Sequence, residues 1–256
     1  MHHLVSLGRP VFAIGILAFG ALCLVCSDPV LGLAPLPAWL PAHQAWAWLF
    51  GLMLLAAGAG ILLRRHARIA AIGLGLLLLL WLVLLHLPLL ATNPRSGTAW
   101  GRMLETLALC GACWVLAGTL SSDLPVRQPG DRRLDQAARA GRYVFAAVLP
   151  AFGALHFIYI DYIVAVLPAW LPFPAFWGYF TGLAHAAAGL GILFGVKARL
   201  AAILAGAMYG SWVLMLHIPR VLSHLEARAE WTSLFVATAL CGAAWMVADS
   251  LNGKQD

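Results

Sequence analysis

The hexapeptide LPAWLP stands at Leu36–Pro41 and again, unchanged, at Leu167–Pro172. Six identical residues with two prolines and a tryptophan do not recur by chance in a chain of 256. Sliding the sequence against itself from this landmark extends the match in both directions. Upstream, Gly8-Arg9 pairs with Gly141-Arg142, and Phe19-Gly20-Ala21-Leu22 with Phe152-Gly153-Ala154-Leu155. The register shifts by two residues around LPAWLP and then holds. Ala56–Leu62 (AAGAGIL) pairs with Ala187–Leu193 (AAGLGIL), and Ala67-Arg68 with Ala198-Arg199. Trp81, His86, Pro88 and Trp100 pair with Trp212, His217, Pro219 and Trp231, and Leu109–Ala112 with Leu240–Ala243. The chain reads as one unit written twice.

Composition says what the unit is. The chain is 62% hydrophobic and 10% charged, with a mean hydropathy of +0.88. Soluble domains run at about 45–50% apolar and about 25% charged. Several apolar stretches reach the roughly 20 residues that cross a bilayer as a helix, most clearly Ile69–Leu90 with its run LGLLLLLWLVLL. The expected fold is an all-α integral membrane protein. Eight transmembrane helices form two parallel-repeat four-helix bundles. The spans fall near 9–27, 44–63, 69–90 and 101–119, then near 142–160, 175–194, 200–219 and 231–249. The first unit covers 1–120, a polar cytoplasmic linker 121–141, and the second unit 142–256.

The net charge is +6 and the sequence pI about 9.4. No basic stripe carries interleaved aromatics on which bases would stack, which argues against nucleic acid. The cations instead sort by loop. Arg9, Arg64, Arg65, Arg68, Arg127, Arg132, Arg133, Arg139, Arg142, Lys197, Arg199 and Lys254 fall on one side, and only Arg95, Arg102, Arg220 and Arg228 on the other. The positive-inside rule then puts both termini in the cytoplasm of a bacterial inner membrane. An even number of spans per unit gives both units one orientation, with a pseudo-twofold axis along the membrane normal, unlike inverted repeats. The first 26 residues have the basic start and apolar core of a secretion signal. No small-x-small site follows, and the segment has an internal counterpart, so it is expected to stay as a span. Both LPAWLP stretches fall outside. Proline closes a helix and tryptophan suits the headgroup layer, so a stiff interfacial turn is expected.

The second unit carries a resemblance. His156-Phe157, then LPAWLP, GLAHAAAGLGIL (Gly182–Leu193), ARLAA (Ala198–Ala202), MLHIPRVL (Met215–Leu222) and EWTSLF (Glu230–Phe235) together resemble the DoxX-like family of four-helix bacterial membrane proteins. The first unit is a more diverged match. The resemblance implies quinone-linked redox chemistry with a partner subunit for part of that group, and chaperone or cargo roles for other relatives. Many relatives carry Glu where His185 stands, and Glu in the fourth helix, where this chain has Glu105 in one unit and Val236 in the other. Cys23 and Leu54 stand where the second unit has His156 and His185.

Ionisable groups inside a bilayer cost at least about 2.5–3.5 kcal/mol at a helix centre and tend to mark function. The pocket candidates are His156, His185 and His217, with Asp161 and Arg220 near the outer interface and Glu105 from the first unit. Three histidines on three helices would converge on an outward-opening pocket, and Glu105 would complete it if the halves meet face to face. No HxxxH or HxxE spacing points to a metal. The bland alternative is packing glue, worth about 0.6 kcal/mol per interhelical hydrogen bond. His86 and Pro88 repeat His217 and Pro219, which suggests a structural pair in which the histidine satisfies a carbonyl freed by proline.

CLVC (Cys23–Cys26) and CGAC (Cys110–Cys113) put paired sulfurs on helix faces, as thiol-disulfide chemistry needs. The second unit reads HFIY and CGAA there. Small apolar packing is the competing account. Ala56-xxx-Gly60 and Ala187-xxx-Gly191 are expected helix-packing faces. The expected function is a DoxX-like inner-membrane protein with an outward-facing polar pocket and a quinone as its ligand, with a partner subunit or self-association. The alternative is a non-enzymatic scaffold, chaperone or small-solute carrier.

Overall fold

A computed structural model describes residues 2–27, 33–64, 66–122 and 131–252. Arg65, Arg127 and Lys254, three of the cations that set the expected orientation, lie outside the described residues. Among those described there is helix and turn but no strand. The helices are α1 (His2–Ser6), α2 (Gly8–Cys26), α3 (His43–Leu62), α4 (Ala67–Trp81), α5 (Leu87–Thr92) and α6 (Gly97–Ser122) in the first half. The second half has α7 (Asp131–Ile158), α8 (Ile160–Val166), α9 (Pro174–Leu193), α10 (Ala198–Trp212), α11 (Ile218–Ser223) and α12 (Arg228–Asp249).

Among the described residues seven helices are long and apolar enough to cross a membrane: α2, α3, Ala67–Thr92, α6, α7, Ala198–Ser223 and α12. The protein is therefore an all-helical membrane protein with a lipid bilayer as its surroundings. Helix α9 has the length, 20 residues, but Trp177, Tyr179, Thr181 and His185 lower its apolarity. Of the stretch 121–141 expected as linker, 123–130 lies outside the described residues. From Asp131 onward it is the start of α7, tied down where Asp131 is buried against Arg68 Nη2 at 2.7 Å.

The long helices form a closed ring. Helix α2 packs on α3, α3 on α4, α4 on α6, α6 on α7, α7 on α9, α9 on α10, α10 on α12, and α12 back on α2, while α6 and α12 also touch across the middle. The fourth long helix of each half thus lies against the first long helix of the other. Small residues let the backbones approach. A side chain at Gly111 would start 2.7 Å from the Gly141 carbonyl oxygen, and one at Gly242 2.6 Å from the Gly8 oxygen. Within the halves, a side chain at Gly20 would meet the Gly51 oxygen at 2.8 Å, and one at Gly153 the Gly182 oxygen at 2.6 Å. Of the expected faces Ala56-xxx-Gly60 and Ala187-xxx-Gly191, Gly191 is in close approach, where a side chain would meet the Val196 carbonyl oxygen at 3.1 Å and Ala201 Cβ at 3.2 Å. Ala56 and Ala187 are exposed, whereas Gly58 meets Leu17 and Gly189 meets Pro150. Helical rotation of about 100° per residue moves the buried stripe by two positions.

Both third helices carry a π-helical turn, Leu82–His86 and Val213–His217, each ending in a histidine followed two residues later by proline. A proline ring clashes with the carbonyl four residues earlier. The widened turn contains that carbonyl, Leu84 or Met215, and accommodates the ring without breaking the span. The two LPAWLP stretches form the same turn, with Leu40 N–H to Pro37 O and Leu171 N–H to Pro168 O, both 3.0 Å. Trp39 and Trp170 stand out from it, 79% and 62% exposed, as interfacial residues do.

Candidate functional site

At the LPAWLP end of the ring, helices α6, α7, α9, α10 and α12 surround a cavity of about 360 Å³. Glu105 enters it from α6, Phe152 and His156 from α7, Trp177, Thr181 and His185 from α9, Tyr209 and Trp212 from α10, and Glu230 and Ser233 from α12. His217 and Arg220 line it from the π turn and α11. A second cavity of about 510 Å³ adjoins it, between the LPAWLP-end tips of α2, α6, α7 and α12, and includes Cys26, Arg102, Tyr159 and Arg228. Glu105 and His156 line both.

The hydrogen bonds fix most of the polar groups. His185 is 5% exposed. Its Nδ1 lies 2.8 Å from the Thr181 carbonyl oxygen, one turn back on its own helix. A carbonyl only accepts, so Nδ1 carries the proton and Nε2 is an acceptor. Nε2 accepts from the Tyr209 hydroxyl at 3.1 Å. His156 repeats the first half of this arrangement: Nδ1 donates to the Phe152 oxygen at 2.9 Å, which leaves the Nε2 lone pair available. The two imidazoles lie 5.1 Å apart between centroids. Arg220 is held by Glu230 through Nε–Oε2 at 2.7 Å and Nη2–Oε1 at 2.5 Å, and its Nη1 donates to the Val166 oxygen at 3.1 Å. His217 Nδ1 is buried without a hydrogen-bond partner among the described residues. Glu105 has no hydrogen-bond or ion-pair partner among them either.

The structure therefore brings Glu105, His156, His185, His217 and Arg220 to one cavity. Asp161 it does not: that residue is exposed near the start of α8 and lines neither cavity. The cysteine pairs are kept apart. Cys23 is buried in α2 and Cys26 lines the larger cavity. Cys110 and Cys113 are buried in α6 against α4, with Cys110 Sγ donating to the Gly75 oxygen at 3.4 Å. No disulfide joins any of the five cysteines. No group of three or more His, Cys, Asp or Glu among the described residues is placed to hold a metal ion.

The matching place in the first half is filled. Phe50 stands where Thr181 stands in the second half, Leu54 where His185 does and Leu78 where Tyr209 does, and all three are buried. Phe50 packs on Trp81 at 4.8 Å and Trp46 at 5.8 Å. The site residues that sequence reasoning missed were Tyr209, Thr181 and Glu230. Each differs from its counterpart, Leu78, Phe50 and Ala99, so the comparison of copies held the signal.

His86 has its own task. Its Nε2 lies 2.9 Å from the Leu33 carbonyl oxygen and 3.1 Å from Thr106 Oγ1. The partner is the segment entering the LPAWLP turn, not the carbonyl that Pro88 displaces.

A family model for a domain of unknown function (DUF8561) matches residues 145–248, the stretch that supplies every wall of the smaller cavity except Glu105. Neither a curated protein nor a solved structure matches the chain.

Proposed function

We propose that this chain is a DoxX-like protein of the bacterial inner membrane, with eight spans arranged as two parallel four-helix units and both termini cytoplasmic. Its outward-facing cavity binds the headgroup of a membrane-dissolved quinone. A partner subunit carries the electrons. One observation carries the reading: a single cavity gathers Glu105 from one half with His156 and His217 from the other, and these polar groups are not consumed by one another. Buried polar groups without partners are costly unless a ligand satisfies them.

The walls suit a planar ring. Phe152, Trp177 and Trp212 flank the polar end, and a volume of about 360 Å³ lies within the roughly 300–1,000 Å³ of small-molecule sites. The reading is tested by purifying the full chain in mild detergent, extracting it with organic solvent and analysing the extract by mass spectrometry. The wild type should carry close to one quinone per chain, and His156→Ala and Glu105→Ala should lose it while remaining folded. A wild type that neither carries quinone nor takes it up on addition would sink the proposal and leave the polar residues to assembly or to another solute.

A further inference from the structure

The larger cavity is built from the same positions of both halves. Five positions of α6 line it, between Gly97 and Glu105, and so do the five equivalent positions of α12, between Arg228 and Val236. Leu22 of α2 and Leu155 of α7 repeat the relation. The frame is twofold, but its charges are not. Arg102 corresponds to Ser233 and Glu105 to Val236, so at these two levels one wall carries a cation and an anion and the other carries neither.

Arg102 and Glu105 are three residues apart and share one face of α6. Both are half-buried in the cavity wall. Neither side chain has a hydrogen-bond or ion-pair partner among the described residues, and they do not pair with each other. A lone cation in the cavity would complete Glu105 and leave Arg102 unmet, and a lone anion would do the reverse. A molecule that carries both an ammonium and an oxyanion meets both. A guanidinium takes a carboxylate through two parallel N–H donors. The Glu105 carboxylate and the His156 Nε2 lone pair accept from an ammonium.

Depth separates the sources of such a ligand. Helix α6 starts with Gly97 at the LPAWLP end, and Arg102 lies about 4.5 Å nearer that end than Glu105 at the helical rise per residue. The ligand therefore sits with its ammonium deeper than its oxyanion. A phospholipid headgroup standing in the leaflet has the reverse order, phosphate below amine. A free amino acid entering from water can take either order. Leu22, Phe152, Leu155 and Val236 make the rest of the wall apolar, and about 510 Å³ lies within the roughly 300–1,000 Å³ of small-molecule sites.

We propose that the larger cavity is a binding site for a free α-amino acid with an apolar side chain, its carboxylate held by Arg102 and its ammonium by Glu105. The inference needs the larger cavity alone and does not rest on a quinone in the smaller one.

The test is isothermal titration calorimetry on the purified full chain in mild detergent at neutral pH. The probes are leucine and phenylalanine, each compared with its N-acetyl derivative, which lacks the ammonium, and with the matching primary amine, which lacks the carboxylate. Lysophosphatidylethanolamine is the lipid zwitterion. At least one free amino acid should bind once per chain, about ten-fold or more tighter than both of its derivatives. Arg102→Gln should bring that amino acid and its amine within about three-fold of each other, and Glu105→Gln should do so for the amino acid and its N-acetyl form. A misfolded variant would not produce this crossed pattern. Binding of neither amino acid, or a derivative that binds as tightly as its parent, would overturn the inference. Tighter binding of lysophosphatidylethanolamine would overturn it in favour of a lipid headgroup. Quinone content measured on the same wild-type samples keeps the two readings apart: quinone without amino-acid selectivity overturns this site alone, and amino-acid selectivity without quinone supports it and overturns the quinone reading.

Discussion

Arg220 reaches the carbonyl oxygen of Val166 with Nη1 at 3.1 Å. In the other half a carbonyl three residues ahead of the first LPAWLP turn, Leu33 O, is held by His86 Nε2 at 2.9 Å. The same task, fastening the chain as it enters the turn, has passed from the histidine to an arginine one helical turn on. His217, the counterpart of His86, makes no hydrogen bond among the described residues and faces the cavity instead.

This exchange predicts opposite outcomes for two equivalent histidines. His86→Ala strips a buried partner from Leu33 O and Thr106 Oγ1, and should cost about 1–3 kcal/mol of stability, read as a lowered melting temperature in detergent. His217→Ala removes no hydrogen bond and should leave the melting temperature unchanged or slightly raised, while weakening ligand binding. Equal losses of stability in the two variants would contradict the division of labour.

Glu230 presents both carboxylate oxygens to Arg220, with side chains 16% and 33% exposed. The pair is neither fully buried nor freely solvated. Arg220→Ala alone leaves Glu230 unpaired at the cavity wall and frees Val166 O, and should cost about 1–3 kcal/mol. Arg220→Ala with Glu230→Ala should be less damaging than Arg220→Ala alone, because the stranded charge is gone. A double-mutant cycle on melting temperatures measures this, and simple additivity of the two single losses would argue against a coupled pair.

The parts of the molecule legible in the sequence were those carried by repetition and periodicity. Apolar runs placed the helices, and the paired glycines that served only as alignment landmarks, Gly8 with Gly141 and Gly111 with Gly242, are the crossing points between the halves. Which helix crosses which was not legible, because a glycine marks close approach without naming its partner. Tyr209 was passed over for a similar reason. A lone tyrosine in an apolar span reads as core, and only the fold shows His185 Nε2 within 3.1 Å of its hydroxyl. For His86 the sequence pattern points to a carbonyl freed by Pro88, whereas its partner, Leu33 O, lies 53 residues away, beyond any local pattern.

The His185–Tyr209 bond itself gives a clean test. Tyr209→Phe keeps the ring and its packing but removes the hydroxyl that donates to the buried His185 Nε2. The variant should lose about 1–2 kcal/mol of stability. Tyr209→Leu, which copies Leu78 of the first half, would lose packing as well and should fall further. If Tyr209→Phe melts at the wild-type temperature, His185 is not held in the geometry described.

The seam between the halves is the last and most severe prediction. At Gly111 a new Cβ would stand 2.7 Å from the Gly141 carbonyl oxygen and 3.3 Å from the Phe145 nitrogen, and at Gly242 2.6 Å from the Gly8 oxygen. These neighbours are backbone, which cannot rotate away, so a larger side chain must push α6 from α7 or α12 from α2. Gly111→Leu and Gly242→Leu should each prevent recovery of a monodisperse protein, seen as aggregation in size-exclusion chromatography. Gly73 is the control: a Cβ there meets nothing within 4 Å. Gly73→Ala should stabilise α4 by about 0.5–1 kcal/mol, the usual gain on replacing a mid-helix glycine. Because the cavity draws Glu105 from α6 and its other walls from the second half, a seam variant that folds should, on the proposed quinone reading, also bind quinone poorly. Unchanged binding in a folded Gly111→Leu protein would mean that the halves do not meet at this glycine pair.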